Sequence, residues 1–548
     1  MRHATAGLIP RPTTVTSRAG APGTDGRWAF HTDDPALRPV AATLAALLAP
    51  HLAPHLAPHL TRRPGDDDAG GRGPRSRGDR RITLALGEVP SAAAPLGLSP
   101  TGGPEPADEA YLVTVTEHGI DCRARTAEGV FRAATTAAQL IATSTGELAC
   151  VTIADAPRYA WRGLMLDPAR AFLGVEDLRR AVDLAALYKL NVLHLHLTDN
   201  QAWRLHLPGV PELTGPPADD SAGQGHYTPD DYRALQDYAA ERFVTVVPEI
   251  DLPGHSASLR RAFPALALPQ IPDSQRQLMR KIEAVAPFAP PLDLGDPDTL
   301  DTVARVLKEV CALTAGPFVH IGADEAMGLG EDDFAASVRR LRALVRESGK
   351  RPIGWQESAR AGAEPDDVVQ HWTAPGMEPS PDGAGLPAHF AEILQALGDF
   401  MAPTAHDVAR ATDGGARVLL SPMSHLYLDR PYDPAIVPDE QADTAARLGM
   451  PFYRGTTVER AAEWDPASHG IPEANIAGIE TPLWGETVTG FDDAAVLLLP
   501  RLPATAETAW SGAPAPWDEY RTRIARHAPL WRALALPYLA SREIPWTD

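Results

Sequence analysis

Residues 161–199, WRGLMLDPARAFLGVEDLRRAVDLAALYKLNVLHLHLTD, decide the fold. The stretch opens on a short apolar run, Arg162–Asp167, and closes on another, Asn191–Asp199. Between them Leu178, Ala181, Val182, Ala185 and Tyr188 recur at the helical period and share one face. Near-continuous apolar strands separated by an amphipathic helix imply a parallel sheet buried on both faces. The same alternation returns downstream at Val244–Asp251, Phe318–Asp324, Pro352–Gln356, Val368–Trp372, Arg417–Ser421 and Ile476–Leu483. Eight such units over ~375 residues predict an α/β catalytic domain, a (β/α)8 barrel with long βα loops, spanning 156–548.

Upstream the pattern changes. Ile82–Leu86 and the alternating run Tyr111–Thr116 read as strands, and Glu128–Ile141 as a helix. Residues 36–155 therefore predict a small α+β N-terminal domain, with a flexible, mixed-charge loop at 61–81. Residues 1–35 are rich in Pro, Gly, Thr and Arg without periodicity and predict a disordered leader. His51, His55 and His59 recur every four residues, which on a helix would align three metal ligands. A proline in every tetrad costs about 3 kcal/mol at each interior helical position, so low-complexity slippage is the expected reading.

The chain has 548 residues, 44% of them hydrophobic, enough for a large core. Its 50 Lys+Arg against 71 Asp+Glu leave a formal charge of −21, which argues against nucleic acid or an anionic membrane as partner. Three scattered cysteines, Cys122, Cys150 and Cys311, fit neither a disulfide framework nor a thiolate zinc site. No run reaches the ~18–20 apolar residues of a membrane span. The first ten residues lack the apolar stretch of an export signal, so the chain as written reads as cytoplasmic.

Each barrel strand ends in a polar cluster: LMLDPAR, HLHLTDNQAWR, VVPEIDLPGH, HIGADE, GWQE, QHWT, SHLYLD and PLWGE. Active sites of this fold lie at the strands' C-terminal ends, because the barrel interior is packed and only the loops above it are free. Carboxylates, His and Trp gathered there describe a carbohydrate pocket. Flat aromatic faces take the C–H surface of a sugar ring, and charged groups bond its hydroxyls.

With these motifs in order, the chain resembles glycoside hydrolase family 20, the β-N-acetylhexosaminidases, over about residues 82 to 535. WRGLMLDPAR, YKLNVLHLHLTDNQAWR, PEIDLPGH, HIGADE, LYLD, LWGE and PRLPATAETAWS carry the resemblance. Two positions depart from the family pattern, Ala323 before the acidic pair and Ala202 in the turn after Asp199, where Gly is usual. Gly to Ala matters wherever the backbone needs a positive φ.

Glycoside hydrolysis ordinarily takes two carboxyls bracketing the scissile bond from opposite faces. Asp324 and Glu325 are adjacent and diverge, so one is left without an ordinary nucleophile opposite it. The resemblance implies substrate assistance: the sugar's 2-acetamido oxygen attacks the anomeric carbon and forms an oxazoline intermediate, with retention. It implies that Glu325 is the acid and then the base, and that Asp324 orients the acetamido N–H and offsets its developing charge. His255 would adjust Glu325 and be oriented by Asp199. Trp355 and Trp372 would enclose the acetamido methyl, Trp484 would lie under the ring, Tyr427 would bond the acetamido oxygen, and Asp429 would position that group. Arg162 and Glu486 would hold the hydroxyls of a terminal sugar, whereas Asp167 and Arg170 are expected to be structural.

His194 and His196 share one side of a strand and, with His206, could suggest a metal. The expectation is a core role, with no cofactor and no metal, since the family implied by the resemblance uses none. The partner expected is a GlcNAc- or GalNAc-terminated carbohydrate, removed one sugar at a time. The alternatives are a disaccharide-releasing relative and a catalytically silent sugar-binding barrel. Glu325, His255 and Tyr427 argue against the silent binder, which has no need of a proton-transfer group.

Overall fold

Six strands from the first 155 residues form one sheet in the computed structural model, which describes residues 7–21, 27–52, 79–144, 146, 148–215, 223–271, 273, 276–277, 279–280, 289–373 and 402–547. They are β1 (Thr14–Ser17), β2 (Arg27–His31), β3 (Asp79–Leu86), β4 (Tyr111–Thr116), β5 (Gly119–Ala124) and β6 (Val151–Asp155), in the order β1-β6-β4-β5-β3-β2. Only the β5–β3 and β3–β2 pairs are parallel. Helices α1 (Arg38–Leu52) and α2 (Ala127–Ala142) pack with this sheet. Thr126 caps α2 by accepting a bond from the Gly129 N–H. Gly129 to Ile141 are all buried, because α2 is covered by the sheet on one side and by the barrel on the other. Gln139 there bridges the carbonyls of Ile9 and Leu187.

Residues 7–21 and 27–35 of the expected disordered leader are built into the fold. Leu8 and Ile9 are buried, β1 pairs with β6, and β2 buries Trp28 and Phe30. β1 carries no apolar alternation of its own, and its register comes from a strand about 137 residues away, which no local pattern reveals. Of the loop expected at 61–81, residues 79–81 belong to β3, and the rest lies outside the described residues. Helix α1 runs through Pro50 into its last turn, so the first tetrad is helical, whereas His55 and His59 lie outside the described residues.

The barrel comprises β7 (Trp161–Leu166), β8 (Val192–His196), β9 (Thr245–Glu249), β10 (Phe318–His320), β11 (Arg351–Trp355), β12 (Val368–His371), β13 (Arg417–Leu420) and β14 (Ile476–Leu483), all parallel and closed between β14 and β7. All eight expected strands are present. Most stop short of the expected end, β10 by the widest margin at His320 instead of Asp324. The polar residues thus leave the ladder and turn over the rim, where they are free to act. Inside, Trp161, Val192, Val247, Phe318, Ile353, Val368 and Leu419 pack the N-terminal end. A layer of His and carboxylates follows, and Met165, Trp355, Trp372, Met423 and Tyr427 cluster at the C-terminal end. Among the described residues no helix is long and apolar enough to cross a membrane.

Candidate active site

The chain between β10 and the acidic pair is wound tightly. Gly322, Ala323 and Glu325 have φ of 66°, 72° and 45°, in the left-handed region. Ala323, the departure from Gly, therefore carries a Cβ where one costs about 1–2 kcal/mol. Its N–H is held by Asp251 Oδ1 at 3.1 Å, which keeps the turn in place. Gly322 is required for space as well, since a Cβ there would lie 1.7 Å from the same Asp251 oxygen. Ala202 is not among the residues with positive φ, so Ala is tolerated there.

This turn places Asp324 and Glu325 beside His255. The imidazole Nε2 lies 3.6 Å from Glu325 Oε2 and 3.9 Å from Asp324 Oδ2, and Nδ1 lies 3.2 Å from Asp199 Oδ2. The expected relay of carboxylate, imidazole and carboxylate is therefore assembled from three strand ends. Asp324 is 8% exposed, and its Oδ1 has no hydrogen-bond partner among the described residues. Burial first, then the charges of Asp251 and Glu325, drive its carboxyl well above the usual range. Burial opposes a charge on His255, but Asp199, Asp251 and Asp324 outweigh it and hold the ring protonated well above its usual range. Asp199 goes the other way, because Arg170 and His255 outweigh its burial and hold it well below the carboxylate range.

The aromatic residues expected in the pocket do converge. Trp355 and Trp484 have ring centroids 5.8 Å apart, Tyr427 and Trp484 6.1 Å, and Trp372 packs in the same cluster. Asp429 is buried, and after burial itself the largest influence raising its carboxyl is Glu486. The Asp429 charge in turn helps raise the Tyr427 hydroxyl, after burial and Tyr453.

Arg162 is a correction. It stands near the start of β7, at the opposite end of the barrel, where it is fully buried. Its guanidinium bonds Glu109 Oε1 and Oε2 at 3.0 and 2.6 Å and the carbonyls of Tyr159 and Lys189, which ties the barrel floor to the N-terminal domain. The arginine at the site is Arg170, in the loop after β7. It contacts Asp199 at 2.6 Å, Asp167 at 2.9 Å and Glu486 at 3.4 Å, and lies over the Trp484 ring. The signal was present, since Arg170 follows its strand and Arg162 nearly begins it. Arg170→Met is expected to lower kcat/KM about ten- to hundredfold through lost charged hydrogen bonds, and to lower Tm as well by stranding the buried Asp199 and Asp167. Arg162→Met should leave KM alone and cost about 3–5 kcal/mol of stability by stranding Glu109. Both variants should lose stability, so steady-state kinetics on the folded protein separates the two roles.

Beneath lies a buried layer in which His194 and His196 sit in the core as expected, while their partners Glu249 and Glu480 were not singled out from the sequence. His194 pairs with Glu480 at 2.8 Å and Glu249 at 3.2 Å, and His196 with Glu249 at 2.7 Å and Asp199 at 2.9 Å. His206 lies elsewhere, its Nδ1 2.9 Å from Thr214 Oγ1, so it does not join them. Among the described residues three groups bring possible ligand atoms within 4.8 Å of one another: His194, Glu249 and His320; His196, Asp199 and Asp251; and Asp251, His255 and Asp324. His196 already lies between Glu249 and Asp199, and His255 beside Asp199.

The trapped protons set a pH dependence. Burial and neighbouring acids raise Asp251 to about 7 and Glu357 to about 8, while Glu480 and Glu249 outweigh burial and raise His194 to about 9. Unfolded carboxyls release their protons near 4 and histidine near 6.5. Between pH 6.5 and 8 the folded chain thus binds more protons, and stability should fall as pH rises, by about 1.4 kcal/mol per pH unit for each group still protonated only in the fold. Urea midpoints at pH 6.5 and 8 check this, and a rising midpoint contradicts it.

The family model "Glycosyl hydrolase family 20, catalytic domain" matches residues 159–338 and 395–513, and that family's "domain 2" model matches 5–156. A β-N-acetylhexosaminidase of Cellulomonas fimi is 35% identical over 457 residues, covering 80% of this chain and 82% of its own. The solved family 20 β-N-acetylhexosaminidase of Streptomyces coelicolor superposes with a TM-score of 0.72 at 29% identity, covering 99% of both chains. A mutant β-hexosaminidase of Streptomyces plicatus, solved with its product GlcNAc, gives 0.72 at 30% identity over 99% of this chain and 98% of that one. The acidic pair on its strained turn, the Asp199–His255 relay and the aromatic cluster thus stand in a chain that belongs to glycoside hydrolase family 20.

Proposed function

We infer that the protein is an exo-acting, retaining β-N-acetylhexosaminidase that removes terminal GlcNAc or GalNAc with the substrate's acetamido group as nucleophile. One observation carries the reading. Asp324 presents a buried carboxyl oxygen with no partner among the described residues, its charge bears on Tyr427 of the aromatic cluster, and it adjoins Glu325 and the His255 contact. A carboxylate so poorly compensated gains most from a positive charge forming beside it, which is what an oxazolinium supplies. Glu325, 38% exposed on its side chain, faces the opening and protonates the leaving oxygen before activating water. Tyr427 bonds the acetamido oxygen, Trp355 and Trp372 wall its methyl, and Trp484 underlies the ring. Arg170 and Glu486 take the hydroxyls of the terminal sugar, and Asp429 positions the acetamido group. Arg170 replaces Arg162 in the first of these roles.

A panel of aryl β-GlcNAc, β-GalNAc, β-glucoside and a β-disaccharide glycoside tests the reading. Cleavage of the first two with an inert glucoside is expected. Release of intact disaccharide would make the enzyme disaccharide-releasing, and binding without turnover would make it a sugar-binding barrel.

A further inference from the structure

Glu249 ends β9 and is fully buried, yet no step of the proposed reaction touches it. Its Oε1 accepts the Trp355 indole N–H at 2.7 Å and lies 3.1 Å from His320 Nδ1. Its Oε2 lies 2.7 Å from His196 Nδ1 and 3.2 Å from His194 Nε2. His196 continues outward, with Nε2 2.9 Å from Asp199 Oδ2, and Asp199 reaches His255 and through it Glu325. Two arms therefore meet on one carboxylate. One leads through His196, Asp199 and His255 to the acid–base residue, and the other is the single bond to the wall of the acetamido pocket.

We propose that Glu249 is a positioning residue that sets the geometry of both arms, holding the Asp199–His255 relay in line with Glu325 and the Trp355 ring against the acyl group. The proposal rests on the reading above and extends it to a residue that meets no substrate atom. The chemistry of the contacts supports it. His196 lies between two carboxylates, which accept only, so both ring nitrogens must carry hydrogen and the ring is a cation. Such a ring keeps its orientation only while both acceptors are charged. A neutral amide at position 249 offers one acceptor oxygen where Trp355 and His196 each need one, and its NH2 would confront the other donor. One arm must then let go, and the imidazole and the indole both gain freedom to turn. Burial resists a charge on Glu249, but His196, His320 and the bond from His194 outweigh it, so the carboxylate stays ionised through the working range.

The test is Glu249→Gln, read as two ratios of kcat/KM that are unaffected by the fraction of active enzyme. The first compares a dinitrophenyl β-GlcNAc, which needs little acid help, with an unactivated chitobioside. It is expected to change by about tenfold against the unactivated substrate, part of the full value of acid assistance. The second compares N-acetyl with N-propionyl aryl glycosides. Selectivity for acetyl is expected to fall about fivefold as the wall loosens, within the range one methylene is worth. A residue that merely filled the barrel would lower every rate equally, so unchanged ratios overturn the proposal. A change in only one ratio also overturns it, since the claim is that one group serves both arms. Should Glu249→Gln fail to fold, Glu249→Asp keeps the charge with a shorter reach and is read by the same ratios, with smaller shifts expected in both. Failure of the underlying reading is separate, because the wild-type protein would then not cleave the aryl β-GlcNAc at all.

Discussion

Glu325→Gln is expected to cut turnover of an unactivated β-GlcNAc glycoside by about 10²–10⁴-fold. Turnover of a dinitrophenyl glycoside should fall far less in the glycosylation step. An alkoxide leaving group needs a proton as the bond breaks, whereas a nitrophenolate departs as a stable anion. The geometry favours this residue over its neighbour: its side chain is 38% exposed at the rim, while that of Asp324 is 11% exposed. Added azide should restore part of the rate on the activated substrate, because a good nucleophile opens the intermediate without base assistance. Equal losses on both substrates would place the acid elsewhere.

Asp324→Asn should lower kcat by about 10²–10³-fold, the usual value of a preorganised electrostatic contact made mainly in the transition state. The loss should appear for every leaving group, since the charge Asp324 offsets forms on the acetamido nitrogen and not on the departing oxygen. The environment supports the size of the effect. Burial, Asp251 and Glu325 all disfavour the anion in the empty site, so the approach of positive charge releases more energy there than in water. In the wild-type enzyme, successive fluorination of the N-acetyl methyl should slow turnover steeply by withdrawing density from the attacking oxygen. The released sugar should be β. A glycosyl adduct trapped on Asp324, or an α product, would restore a two-carboxylate mechanism.

Most of the site was legible because its parts are short strings at strand ends. Asp324–Glu325 follows β10, His255 closes PEIDLPGH, and the three tryptophans and Tyr427 each sit within a few residues of a strand terminus. The barrel was legible for the same reason, since apolar period and helix amphipathicity are properties of windows of ten to twenty residues. What escaped was assembled across long separations. β1 has no pattern of its own and is ordered by β6. Glu249 reads as an ordinary strand residue until His196, 53 positions earlier, and Trp355, 106 positions later, converge on it.

Position along a strand was the subtler failure. Arg162 and Arg170 are eight residues apart in one motif, and only their positions, one near the start of β7 and one after its end, tell them apart. Sequence alone determined the eight βα units and the order of the motifs, because these follow from local hydrophobic period and local chain direction, while the roles expected of Asp324 and Glu325 came from the family resemblance. Tertiary structure alone decided that Ala323 would be forced to a positive φ and that one buried carboxylate joins two halves of the site. Ion pairs and close packing depend on distances between segments that the barrel brings together only when it closes, and burial raises the energetic weight of each such contact.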